Sequence, residues 1–223
     1  MNRSVVSALI RKDLRMSWQF LAAALVAGAG ALALWQLASQ TLAIAATVGF
    51  FIVLIMLGIL PMMMIVNERK KQTLAFIMSL PVTAAQYAIA KLTTALGMFL
   101  IPWLVLVAVA LSLIVSRGDV PNGIIPLALI LMLIPLVGFL IQTSVAIVSE
   151  SETRSLFTMG VINISYSFVW VGISTTPGLT RDLGSSSPVW NATVLSVLGA
   201  EAGLIAVVLA VALYLQSRKR DFV

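Results

Sequence analysis

The sequence predicts an all-α integral membrane protein with six membrane-spanning helices. Of its 223 residues, 61% are hydrophobic and only 10% are charged, whereas soluble domains carry about 25% charged residues. Six apolar runs are long enough to cross a bilayer, at residues 20–37, 42–66, 92–115, 124–148, 156–175 and 192–215. The segments between them are too short to bury a core. We therefore predict one membrane domain over residues 19–223 with no soluble enzyme attached.

The distribution of basic residues predicts the orientation of these spans. Six spans place the N-terminus, residues 67–91, residues 149–155 and the C-terminus on one side of the membrane. That side carries twelve of the fourteen basic residues, and the other carries only Arg117 and Arg181. Basic residues concentrate in cytoplasmic loops, so both termini are expected to be cytoplasmic. The net charge of +6 is thus explained by membrane topology, and we predict lipid contact and no nucleic-acid partner.

Residues 1–18 are predicted to form an amphipathic helix that lies in the cytoplasmic interface of the membrane. Apolar residues recur there at helical spacing, at Val6, Leu9, Ile10 and Leu14. Basic residues occupy another face, where they suit anionic headgroups, at Arg11, Lys12 and Arg15. A plain cytoplasmic extension of the first span is the alternative. We expect the first span to be retained, since its apolar run is longer than a usual signal-peptide core.

A polar segment of 25 residues, 67–91, separates the second and third spans. A short apolar cluster occupies residues 73–79, and Pro81 disfavours helix at Leu80. Thr83 and Gln86 then form a capping box for the next helix. The segment predicts a short transverse helix over residues 73–81 followed by the third span. An ordinary basic loop whose apolar residues dip into lipid explains these residues equally well.

Several kinds of chemistry are missing from the sequence. The chain has no cysteine and no histidine, which excludes disulfides, thiolate catalysis and histidine metal ligands. It has no Gly-Lys pair and hence no Walker A motif. We also expect no Lys or Asp within a span, which disfavours an intramembrane enzyme. No catalytic residue, metal site or cofactor is predicted in this chain, so any ATP must be bound by another chain.

The polar segment carries a recognisable pattern: Glu68, then Thr73-Leu74, then Ser79-Leu80-Pro81-Val82-Thr83, and Lys91. This pattern resembles the permease subunits of type-2 ABC exporters, a family that exports drugs, polysaccharides and lipids. Members of that family have six spans, cytoplasmic termini, an N-terminal interfacial connecting helix and a coupling helix in the first cytoplasmic loop. The sequence differs from the family pattern at Gln72, where the family usually has glycine, so the start of the coupling helix is less well defined.

The resemblance implies a permease subunit of the bacterial plasma (inner) membrane. It would couple to a separate ATP-binding subunit, which holds ATP and Mg²⁺, and pair with a second permease copy, identical or related. The implied cargo is a peptide, drug, lipid or glycan. The coupling residues it implies are Glu68, Arg69, Thr73, Leu74, Phe76, Ile77, Met78, Leu80 and Pro81.

Two alternatives stay open. One is an ion-driven secondary transporter, although such proteins usually need several buried carboxylates or an inverted repeat. The other is a haem-exporter-like subunit of cytochrome c maturation, for which the absence of histidine leaves no haem ligand.

Four polar residues inside the predicted spans are candidates for a transport pathway or for interhelical hydrogen bonds: Gln142, Asn163, Tyr166 and Glu201. Glu201 lies opposite a stripe of small residues that suits close helix packing and includes Gly199 and Gly203. It could be neutral, lie near the outer surface or border a cavity or partner. We expect Glu201 to lie near the outer surface, because the family often has short re-entrant helices between spans five and six. If its role is peripheral, Glu201→Gln should leave activity largely unchanged.

Overall fold

The computed structural model describes residues 3–37, 40–70, 84–149 and 151–218. These residues form α-helices joined by short connections, with a 3-10 turn at Asn122–Ile124 and no strand in the described ranges. The helices are α1 (Arg3–Leu37), α2 (Gln40–Lys70), α3 (Ala84–Ser116), α4 (Ile125–Ser149), α5 (Glu152–Thr175), α6 (Pro177–Thr180) and α7 (Ala192–Arg218). All but the four-residue α6 are long and apolar enough to cross a membrane. The prediction of an all-helical chain with six spans is confirmed.

The first helix runs without interruption from Arg3 to Leu37. Its N-terminal part packs on the start of α3, where Val6 and Leu9 form a buried cluster with Tyr87 and Ala90. The apolar face that was expected to lie in the interface therefore contacts another helix. Within residues 3–37, the predicted amphipathic part and the first span form one continuous helix. An interfacial position of this part of α1 stays a prediction.

Helix α4 lies at the centre of the bundle. It packs against α2, α5 and α7, while α1 packs against α2 and α3. At the core, Phe99 of α3 stacks on Phe139 of α4 with ring centroids 4.2 Å apart. Gly58 of α2 permits this close packing, because a Cβ atom there would lie 3.2 Å from Phe139 Cβ. The outer surface exposes large apolar side chains such as Phe168, at 73%, as expected for a surface that faces lipid.

At the end of the bundle that is predicted to be extracellular, polar contacts join the loops to one another. The guanidinium of Arg117 pairs with Asp119, donates to the carbonyl oxygen of Trp35 at 3.3 Å and lies over the Trp35 ring. The hydrogen bonds from Arg117 hold the pKa of the Asp119 carboxyl below its ordinary value, so the carboxylate stays ionised and paired to a lower pH than an isolated Asp would. The N–H of Gly123 donates to the carbonyl oxygen of Ser185 at 2.9 Å.

Gly123 is a position where only glycine fits. An added Cβ atom would overlap the Asp182 carbonyl oxygen and the Ser185 hydroxyl. We therefore expect Gly123→Ala to displace the loop around residue 182 and to lower the melting temperature in detergent by about 2–10 °C. Gly184→Ala is the matched control, because a Cβ atom at Gly184 meets nothing within 4 Å. Equal melting temperatures for the two variants would contradict the proposed packing.

Candidate functional site

Four charged side chains from three helices meet at the end of the bundle that is predicted to be cytoplasmic. Lys12 and Asp13 lie on α1, Glu68 lies in the last turn of α2, and Lys91 lies in the second turn of α3. The last two flank residues 71–83, the segment that connects α2 to α3. We call these four residues the ion network.

Lys91 is the central cation of the ion network. Its Nζ donates to Asp13 Oδ2 at 2.6 Å and lies 2.7 Å from Glu68 Oε2. The side chains of Lys91 and Asp13 are only 3% and 1% exposed. Removing charges from water is costly unless they are paired in good geometry. Lys91 therefore stabilises two carboxylates that belong to two other helices.

Lys12 and Tyr87 complete the ion network around Glu68. Lys12 Nζ lies 2.8 Å from Glu68 Oε1 and 3.2 Å from Asp13 Oδ1. The Tyr87 hydroxyl donates to Glu68 Oε2 at 3.0 Å. Both oxygens of Glu68 are thus engaged, and two ammonium groups balance two carboxylates. The end of α2 is joined through these contacts to both α1 and α3.

Local packing explains why these side chains meet. Val6 and Leu9 press the N-terminal part of α1 onto Tyr87 and Ala90 of α3, which brings the next turn of α1 opposite Lys91. On the other side, the ion network borders a cavity of about 480 Å³ whose wall includes four methionines, Met16, Met63, Met64 and Met98. Methionine side chains adapt to irregular spaces. The cavity gives Lys12 and Glu68 room beside the closely packed core.

The structure describes only part of the predicted coupling site. Glu68 enters the ion network, and Arg69 lies in the last turn of α2, although its side chain is outside the described residues. The remaining predicted residues also lie outside the described residues: Thr73, Leu74, Phe76, Ile77, Met78, Leu80 and Pro81. Their role in coupling stays a prediction, and the structure describes the helix ends on both sides of them.

Sequence reasoning missed Asp13 and Tyr87 and treated Lys12 only as part of a basic face. A signal was present, because Asp13 is the only acidic residue before Glu68. The expectation that no Lys or Asp lies within a span stays a prediction. Helices α1 and α3 extend beyond the apolar runs and include Asp13 and Lys91.

The polar residues farther inside the bundle have different surroundings. Asn163 donates to the Met159 carbonyl of its own helix at 2.7 Å, which is local bonding. Gln142 is 1% exposed, and its Oε1 accepts no hydrogen bond from the part of the chain that the structure describes. Tyr166 and Glu201 line one cavity among α4, α5 and α7.

The structure places Glu201 in a continuous helix, and its expected position near the outer surface stays a prediction. Ala192–Arg218 is one helix, and Glu201 lies near the middle of the candidate span Ala192–Ala212. The small-residue stripe on the opposite face does not pack against the described helices, since a Cβ atom at Gly199 or Gly203 would meet nothing within 4 Å. Periodicity identified the two faces correctly, but the carboxylate face is the one turned toward the bundle.

Comparison with known proteins gives one match. A family model described as an ABC-2 family transporter protein matches residues 11–170, more than half of the chain. The matched range contains every member of the ion network. No curated protein and no solved structure matches the chain. Within the described ranges, no group of acidic side chains is arranged to hold a metal ion.

Proposed function

Since the chain belongs to the ABC-2 family of transporter proteins, we propose that it is the permease subunit of an ATP-driven exporter of the bacterial plasma membrane. It is an integral multi-pass membrane protein, with six helices able to span a bilayer. The family match favours this function over an ion-driven secondary transporter. The observation that carries the proposal is the family match over residues 11–170. The ion network supports a coupling role for residues 71–83, because it joins both helix ends that flank them.

The proposed mechanism begins at that segment. Residues 73–81 dock on a separate ATP-binding subunit, which holds ATP and Mg²⁺. The chain itself has no Gly-Lys pair from which a Walker A motif could be built. Two permease copies, identical or related, and two ATP-binding subunits form the working unit. The cargo is of the peptide, drug, lipid or glycan type.

The ion network then passes the movement to the spans. Glu68 and Lys91, 2.7 Å apart, hold the end of α2 to the start of α3, so a push on the connecting segment moves both helices together. Asp13, 2.6 Å from Lys91, extends this unit to α1. Rigid-body movement of packed helices is a common way to transmit a local change. Three helices therefore respond as one element when the ATP-binding subunits close.

Affinity purification in mild detergent tests this function. We expect the tagged chain to retain an ATP-binding subunit in stoichiometric amount, with ATP hydrolysis by the purified particle. An unrelated six-span protein with the same tag, purified in parallel, controls for non-specific capture. A stable, homogeneous particle that lacks any nucleotide-binding subunit would overturn the proposal.

A further inference from the structure

A second cavity lies far from the ion network. It has a volume of about 380 Å³, is lined by α4, α5 and α7 and opens to the outer surface of the bundle beside Leu204, which is 44% exposed. Its wall is mainly aliphatic and includes Ile130, Ile134, Ile162 and Leu204. Volumes of this size are typical of small-molecule sites. A ligand in this cavity needs a largely apolar body.

The cavity wall carries one ionisable carboxyl group, Glu201. Its Oε2 is buried and accepts no hydrogen bond from any residue in the described ranges. No basic residue is among the described residues that line the cavity. A carboxylate near the middle of a span is costly unless something pairs with it. Among the described residues, Glu201 thus has no cationic partner of the kind that each carboxylate of the ion network has.

The other polar groups of the wall make no hydrogen bond to Glu201 Oε2. The Ser165 hydroxyl donates to the Val161 carbonyl at 2.8 Å, so its proton is already used. Tyr166 brings an aromatic ring and a hydroxyl to the wall, and Gly138 makes room for them. A Cβ atom at Gly138 would overlap the Tyr166 hydroxyl and lie 2.9 Å from its Cζ. Aromatic rings attract cations, so Tyr166 and Glu201 favour the same sign of charge.

We infer that this cavity binds a lipophilic cation, with the positive charge beside Glu201 and the apolar body against the aliphatic wall. The inference rests on the proposed function and narrows its cargo. Among the cargo types, it selects cationic amphiphilic drugs over glycans and anionic lipids. A glycan would leave its hydroxyl groups unpaired against an aliphatic wall, and an anion would meet the Glu201 carboxylate.

The test uses the full chain in lipid nanodiscs with tetraphenylphosphonium as the cationic probe and triphenylphosphine oxide as its neutral counterpart. We expect saturable binding of the cation and at least 10-fold weaker binding of the neutral compound. Glu201→Gln should weaken cation binding at least 10-fold without changing binding of the neutral compound. Ala200→Leu, which fills part of the cavity, should weaken the binding of both probes. Gly199→Ala, on the open face of α7, is the matched control and should bind as wild type does.

The outcomes separate this inference from the proposed function. Equal binding of the two probes, or unchanged cation binding by Glu201→Gln, would overturn the inference even when the ATP-binding subunit copurifies. Cation binding that depends on Glu201 in a chain that never retains such a subunit would support the site and reject the exporter. If Glu201→Gln fails to fold, the inference is tested by the binding of the two probes to wild type and to Ala200→Leu. Wild type should prefer the cation, and Ala200→Leu should bind both probes more weakly.

Discussion

Replacing Lys91 by methionine is expected to abolish the ATP-dependent movement of the spans while the ATP-binding subunit stays attached. The substitution leaves Asp13 and Glu68 without the cation that lies 2.6 and 2.7 Å from them. Removing one member of a buried ion pair costs about 3–5 kcal/mol. We therefore expect a lower melting temperature as well as loss of the rigid connection among α1, α2 and α3.

The absence of cysteine makes this result measurable without knowledge of the cargo. In a complex of two identical copies, a single spin label at Ser116, exposed at the end of α3, reports the distance between the two permeases. We expect the distance to change on ATP binding in the wild-type complex and to stay constant in Lys91→Met. Basal ATP hydrolysis should remain in both complexes, since the catalytic groups lie on the partner subunit.

Lys12→Met is the matched control for this prediction. It removes the same charge from the same network, but the Lys12 side chain is 39% exposed, so water replaces much of the lost interaction. Asp13→Asn added to Lys91→Met should recover part of the lost stability, because the double variant no longer buries an Asp13 carboxylate whose remaining cation is the half-exposed Lys12, 3.2 Å away. A Lys91→Met complex that shows the wild-type distance change would refute the role of the ion network in transmission.

The second large effect is expected from Phe76→Asp, which should release the ATP-binding subunit while membrane insertion stays intact. This expectation rests on the sequence pattern, in which Phe76 is one of the apolar residues of the 73–81 segment. Aromatic anchors in a protein interface contribute about 2 kcal/mol or more, so the affinity should fall roughly 30-fold or further. The measurement is the ratio of ATP-binding subunit to permease after purification, together with the permease content of the membrane fraction.

Phe76→Leu is the control, because it keeps an apolar side chain and should retain most of the partner. If the Asp variant copurifies with a full complement of the ATP-binding subunit and its spans still move on ATP binding, residues 73–81 are not the coupling helix. Together the two variants separate docking from transmission. Phe76→Asp should lose the partner, whereas Lys91→Met should keep the partner and lose the movement.

The sequence by itself determined the number of spans. The length of an apolar run is a local property, and a bilayer of about 30 Å requires about 20 such residues in a helix. It also located Glu68 at the end of the second span, where charge follows apolar residues. The N-terminal boundary of the first helix was less predictable, because α1 continues through Lys12 and Asp13, where contacts with α3 support it.

The tertiary structure alone decided which polar groups meet. Asp13 and Lys91 are 78 residues apart, and no local pattern indicates that they form a buried pair. Helical periodicity showed that Glu201 and the small-residue stripe lie on opposite faces of α7, but it could not show which face turns inward. In a soluble helix the apolar face identifies the interior. In a membrane, lipid is as apolar as a leucine side chain, so only the neighbouring helices determine the inward face.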